Sequence, residues 1–226
     1  MSRFSHTLIS FFPHRIRREI RELYLATLIL NIGVAMVLLF EPIYLYSIGY
    51  SLQQILLFFF IVYILYFFLV PLGARFAKRF GYEHSIVVST FIFIAYYFVL
   101  YNIATVPILF FIAPVLYAFQ KTFYWPAYHA DFARHADRRE EGREIGAIDM
   151  MVLVVNVVAP LLAGVIVNFF GFATLFVVVS IIFVVSNIPL LSTPEIFIPK
   201  PFPYALAYKN LLKKPKTLVG LSLIHI

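Results

Sequence analysis

The chain has no cysteine, which excludes a disulfide framework and a thiolate metal site. It is also poor in charge. Asp, Glu, Lys and Arg make up 13% of its residues, where a soluble domain carries about a quarter. So few charges cannot cover a water-facing surface, and 62% of the 226 residues are hydrophobic. Acids are the scarcer sign, 11 against 18 Lys and Arg, which leaves a formal charge of +7. Such an excess in a soluble domain would suggest nucleic acid. Here the basic residues lie between apolar runs, so no nucleic-acid partner is expected. No Gly-x-Ser-x-Gly elbow and no phosphate-binding glycine loop is present. His129, Asp131, His135 and Asp137 come nearest to a metal or catalytic cluster. A His-x-Asp pair does not share a helix face, and no third ligand recurs at metal spacing. Residues 131–144 are read as a solvated loop of mixed charge. No catalytic residue, metal site or cofactor is expected, and the chain is not read as an enzyme.

What is present is a series of long uncharged runs. A helix needs about 20 apolar residues to cross the hydrocarbon core of a bilayer. Lipid tolerates only segments that satisfy their own backbone groups, and these runs are too long for barrel strands. The expected fold is all-α, a polytopic bundle of six transmembrane helices at 23–47, 52–73, 84–103, 106–125, 145–169 and 173–193. An aborted seventh begins at 217.

The links between spans alternate in charge. Residues 47–51, 101–105 and 169–173 carry none. Residues 1–22, 74–84, 121–144 and 192–216 carry all 18 Lys and Arg, as 5, 3, 5 and 5. Cationic loops resist translocation, so these four segments are expected to be cytoplasmic, the amino terminus included. Residues 1–22 read as a basic arm, with 15–22 either an interfacial helical turn on anionic headgroups or a simple basic flank. The linker at 194–216 holds four prolines in its first ten residues and cannot be helical there.

The last six residues are Leu221-Ser-Leu-Ile-His-Ile226. The codons CTG TCT CTT ATA CAC ATC encode them, a string that matches a transposon end used as a sequencing-library adapter. The expectation is therefore a truncated chain, a fragment in which 221–226 are not native protein.

The pattern resembles the amino-terminal half of a major facilitator superfamily transporter. Ala74-Arg-Phe-Ala-Lys-Arg-Phe-Gly81 is similar to that family's turn between helices two and three, Gly-x-Leu-Ala-Asp-Arg-x-Gly. Phe40-Glu-Pro-Ile-Tyr-Leu-Tyr-Ser-Ile-Gly-Tyr-Ser51 resembles its helix-one end, Pro-x-Tyr-Leu followed by Gly-x-Ser. Trp125-Pro-Ala resembles the helix-four exit. Ala159-Pro160-Leu-Leu-Ala-Gly164 resembles the Gly-Pro-x-x-Gly-Gly of helix five, with Pro160 and Gly164 kept. The family implies two six-helix halves rocking around a midplane site, and needs a substrate or ion gradient but no cofactor. The signature residues here are Ala74, Arg75, Lys78, Arg79 and Gly81. Lys78 stands where the family has an Asp that latches the halves, so the charge there is inverted. The family's frequent helix-four arginine has no counterpart; Lys121 is the cation nearby and is placed near the cytoplasmic end.

Four polar residues within the spans are candidates for transport or proton coupling. Glu41 follows 18 uncharged residues, 23–40, and precedes Pro42. A carboxylate in a span is costly, so it is functional by default. The alternative is that it lies near enough to the outer boundary to reach headgroups. Asp149, Asn156, Pro160 and Ala163 share one face of helix five. That stripe reads either as a cavity lining, with Asp149 a gate charge, or as a packing seam, with Asp149 near a helix start. Asn31 reads as an interhelical hydrogen bond or a cavity group.

The preferred function is secondary active transport of a small solute by alternating access, coupled to protons. The partners are then lipid, the solute and a missing carboxyl-terminal half, in the plasma or inner membrane. The alternative is a six-helix permease subunit, or another multi-pass protein, working with a partner chain.

Overall fold

The computed structural model describes residues 18–135 and 141–192. Residues 1–17, residues 136–140 with Asp137, and the segments expected at 194–216 and 217–226 lie outside the described residues. Every element described is helical: α1 (Arg18–Leu38), α2 (Phe40–Ser47), α3 (Leu52–Phe80), α4 (Tyr82–Asn102), α5 (Leu109–His135) and α6 (Glu141–Ser186), then a 3-10 turn at Leu190–Ser192.

Local chemistry sets the boundaries. Pro42 has no N–H for the carbonyl of Leu38, and α1 gives way to α2 at Leu39. Ser51 caps α3 in a reciprocal box. The Gln54 N–H donates to Ser51 Oγ at 3.4 Å, and the Ser51 N–H donates to Gln54 Oε1 at 2.9 Å. The basic stretch expected to be a turn at 74–84 is mostly helix. Ala74, Arg75, Ala77, Lys78 and Arg79 are strong helix formers, and Lys78 and Arg79 complement the carbonyl end of α3. The turn contracts to Gly81, whose φ of 109° and ψ of 152° suit glycine alone.

Four described segments are long and apolar enough to cross a membrane: Arg21–Ser47, Leu52–Phe80, Tyr82–Asn102 and Gly146–Ser192. This differs in two places from six separate spans. First, α5 does not qualify on composition, because Pro114, Gln120, Lys121, Thr122, Pro126 and Asp131 dilute it. Packing explains how it tolerates them: it lies against both α3 and α4, with Ala113, Ala118, Thr122 and Ala127 fully buried. Second, the two spans expected at 145–169 and 173–193 are one segment with a single non-helical residue, Gly171 (φ 81°, ψ 175°). Straight, the 46 residues of α6 would span about 69 Å, over twice the roughly 30 Å core. They do not run straight. A Cβ on Gly164 would lie 3.7 Å from Phe40 Cζ, while one on Gly33 would lie 2.6 Å from Phe183 Cε1. Further along, Leu190 and Leu23 line one small gap. The arm after Gly171 therefore runs back along α1, antiparallel to it.

The core is aromatic. Phe93 stacks on Phe183 at 4.7 Å and on Tyr117 at 5.5 Å, which ties α4 to α6 and α5. Close backbone approach holds α3 to α5: a Cβ on Gly73 would collide with the Thr122 carbonyl, and Ala77, one turn on, is buried too. The outer faces of α3 and of the first arm of α6 stay apolar and exposed, at Leu56, Phe60 and Phe67 and at Leu153, Val157 and Leu161.

Candidate functional site

Glu41 sits in the first turn of α2, turned inward. It is 1% exposed, among the largest fully buried side chains of the described residues. Tyr97 of α4 donates its hydroxyl to Glu41 Oε1 at 2.5 Å. The Tyr96 hydroxyl approaches the same carboxylate without completing a bond of good geometry, and Glu41 Oε2 has no hydrogen-bond partner among the described residues. Leaving such an oxygen buried costs about 1–3 kcal/mol, so its retention calls for a reason beyond packing.

A positive charge from α5 acts on this carboxylate. Lys121 is the thirteenth of the 27 residues of α5, not the start of a cytoplasmic loop. Its ammonium interacts electrostatically with Glu41, with no direct ion pair between them. It lies 4.6 Å from the ring centre of Tyr117 and 5.3 Å from that of Tyr63, a cation held on two aromatic faces. Moving Lys121 into the bundle changes the charge pattern: the third basic segment keeps four of its five cations. The reason is helix length, since α5 continues ten residues past the expected boundary at 125.

Beside Lys121 is a recess of about 60 Å³, walled by α1, α4 and α5 and lined by Asn31, Gln120, Lys121, Tyr117, Tyr124 and Trp125 among others. Asn31 donates its amide to the Thr27 carbonyl of its own helix at 2.8 Å, which leaves its Oδ1 for the recess. Gln120 is 5% exposed, and no described residue hydrogen-bonds its amide.

The other candidates are elsewhere. Asp149 and Asn156 are exposed on the first arm of α6, and Asp149 lies more than two turns past the helix start, with Tyr128 as its electrostatic neighbour. The seam of this arm is formed by Ala159, Ala163 and Gly164, with Pro160 half-buried beside them. Among the signature residues, Arg75 and Arg79 are exposed, Ala74 and Lys78 are half-buried and Gly81 is buried, all near the α3–α4 junction. Arg79 lies 5.4 Å from the Phe80 ring centre. Asp131, expected in a solvated loop, is 3% exposed within α5, and His129 stacks on Trp125 at 5.6 Å. Sequence reading missed Lys121 and Gln120 as site residues. The signal was the nine residues after Lys121, 122–130, which carry no formal charge.

No curated protein matches the chain. A family comparison matches residues 23–224 to the Major Facilitator Superfamily, nearly the whole sequence. That match removes the alternative of a multi-pass protein of another class. The family carries small solutes across membranes, as a buried carboxylate and cation in an apolar bundle would suit, and this chain is a multi-pass membrane transporter of the Major Facilitator Superfamily.

Proposed function

We propose that the chain serves a secondary active transporter that moves a small solute by alternating access and couples that movement to protons at Glu41. In this reading α1 with α2, then α3, α4, α5 and the two arms of α6 cross the bilayer six times. Together they form the amino-terminal half of a two-half carrier in the cell membrane, with the amino terminus cytoplasmic.

The observation that carries the reading is the closed setting of Glu41. A carboxyl group with one bonded oxygen, one open oxygen and a cation within electrostatic reach can exist with or without its proton. Repacking between inward- and outward-facing states would change these contacts, which is what links proton transfer to movement.

The test is pH-driven uptake in vesicles with an imposed proton gradient, comparing the complete two-half carrier with its Glu41→Gln variant. Coupled flux is expected to disappear in the variant; uptake that still follows the gradient would sink the role of Glu41. The two-half architecture is tested separately by reading the native gene beyond the Gly220 codon. Six further apolar spans are expected, and a stop within a few codons would overturn that part.

A further inference from the structure

From the placement of Lys121, Gln120 and Asn31 around one recess, and resting on the transport reading above, we infer that the solute is a small organic monocarboxylate whose carboxylate docks on Lys121.

Three observations converge on an anion. First, Lys121 has three N–H donors, and no described residue accepts from any of them. Its ammonium rests on aromatic faces, which balance the charge but leave the donors unused. Second, Gln120 lines the recess beside it, and no described residue hydrogen-bonds its amide, whose N–H groups are therefore open to an incoming acceptor. Third, both residues open on the same recess, so their donors converge on one space.

Size and charge narrow the class. The recess of about 60 Å³ holds a group of a few heavy atoms, not a whole sugar. One cation matches one negative charge, so a monoanion leaves the site neutral where a phosphate dianion does not. Tyr117, Tyr124 and Trp125 offer an apolar rim to the body of the molecule.

The neighbourhood also dictates how substrate and proton are linked. The groups facing Glu41 are Tyr96 and Tyr97 from α4, Lys121 and Tyr117 from α5 and, across Lys121, Tyr63 from α3; the residues of α6 packed here, Phe176 and Phe183, carry no charge. With Glu41 ionised, the pair Glu41–Lys121 sums to zero and the carboxylate competes for the ammonium. With Glu41 protonated, the pair carries +1 and one substrate anion returns it to zero. Anion and proton therefore bind together, and a carboxylate enters with one proton. No bond is made or broken beyond the O–H on Glu41.

The chain has a single tryptophan, Trp125, and it lines the recess, so its emission reports occupancy. The purified chain in lipid nanodiscs is titrated with acetate, lactate and benzoate, and with acetamide, lactamide and benzamide as uncharged matches. Inorganic phosphate is the remaining probe, and proton uptake is read with an indicator dye in weak buffer. Saturable quenching by at least one carboxylate and by none of the amides is expected. Lys121→Met should weaken it about tenfold to a hundredfold, the range for losing a bond to a charged group. Lys121→Arg should keep most of it and shows that a loss in the Met variant is not misfolding. Near one proton should be taken up per anion, falling to none in Glu41→Gln, which still binds. Equal quenching by amide and carboxylate, a response to phosphate alone, no response to any probe, or unchanged binding in Lys121→Met would each overturn the proposal. If carboxylates bind through Lys121 but no proton follows, the coupling role of Glu41 fails while the anion site stands. If gradient-driven flux needs Glu41 but no carboxylate binds, the reverse holds.

Discussion

Tyr97 of α4 and Glu41 of α2, 56 residues apart in the chain, meet in a buried hydrogen bond of 2.5 Å. The bond joins the carboxyl-terminal end of the first membrane segment to the third. Tyr97→Phe keeps the ring, which packs 5.0 Å from Phe93 and 5.5 Å from Phe176, and removes only the donor. Glu41 is then left with neither oxygen hydrogen-bonded. We expect a loss of about 1–3 kcal/mol, read as a lower unfolding midpoint in detergent. The double variant Tyr97→Phe, Glu41→Gln should lose less than the two single losses added, because they share one interaction. Strict additivity would show that the two side chains are not coupled.

Gly73 and Gly146 predict opposite signs for the same substitution. At Gly73 a methyl group would run into the Thr122 carbonyl, a backbone atom that cannot turn aside. Gly73→Ala should push α3 off α5 and cost about 1–3 kcal/mol. At Gly146, also helical, a methyl group meets nothing within 4 Å. There Gly146→Ala should be neutral or stabilising by up to about 1 kcal/mol, since alanine is the better helix former. The comparison uses unfolding midpoints of both variants in the same detergent. Equal effects would mean that α3 and α5 are not in backbone contact.

The membrane character was legible because it rests on composition and run length, which tertiary packing does not alter. The helix at 52–73 falls within α3, and the one at 84–103 matches α4 to within two residues at either end, for that reason. The ends were less legible. A helix in a bundle continues as long as its residues tolerate helical angles, and the stretch 74–80 does so although it is basic, leaving Gly81 alone as the turn. From sequence Lys121 reads as the edge of a loop, because a single cation in an apolar run is the usual boundary mark. What keeps it inside comes from other helices: the Tyr63 ring, the Glu41 carboxylate and the α4 wall, none of which is near it in sequence. Glu41 was legible as a position, since an acid within a long apolar run needs an explanation. Its partner Tyr97 was one of 15 tyrosines, and nothing local distinguishes it.

Gly171 lets the two arms of α6 fold back on each other. Its φ of 81° and ψ of 175° lie where residues with a side chain pay about 1–3 kcal/mol. A Cβ there would meet nothing within 4 Å, so the cost of Gly171→Ala is conformational and not steric. We expect that loss in the unfolding midpoint. Gly171→Asn, which tolerates positive φ better in general, should recover part of it only if this position can shift toward the left-handed helical region. Indifference of stability to Gly171→Ala would mean that a different residue makes the reversal.

The absence of cysteine makes sidedness directly testable, because any introduced thiol is the only one present. Thr105 is exposed in the uncharged link between α4 and α5, and His84 is exposed in the first turn of α4, five residues after Arg79. Between these two sites lies the α4 segment, 21 residues or roughly 31 Å of helix, enough to put them on opposite faces of the bilayer. Arg75, Lys78 and Arg79 should hold the His84 end in the cytoplasm. In intact cells a membrane-impermeant maleimide should label Thr105→Cys and spare His84→Cys, and inside-out vesicles should reverse the pattern. Labelling of both from one side would mean that α4 does not cross. Labelling of His84→Cys alone in intact cells would invert the orientation, and with it the direction in which any proton bound at Glu41 is delivered.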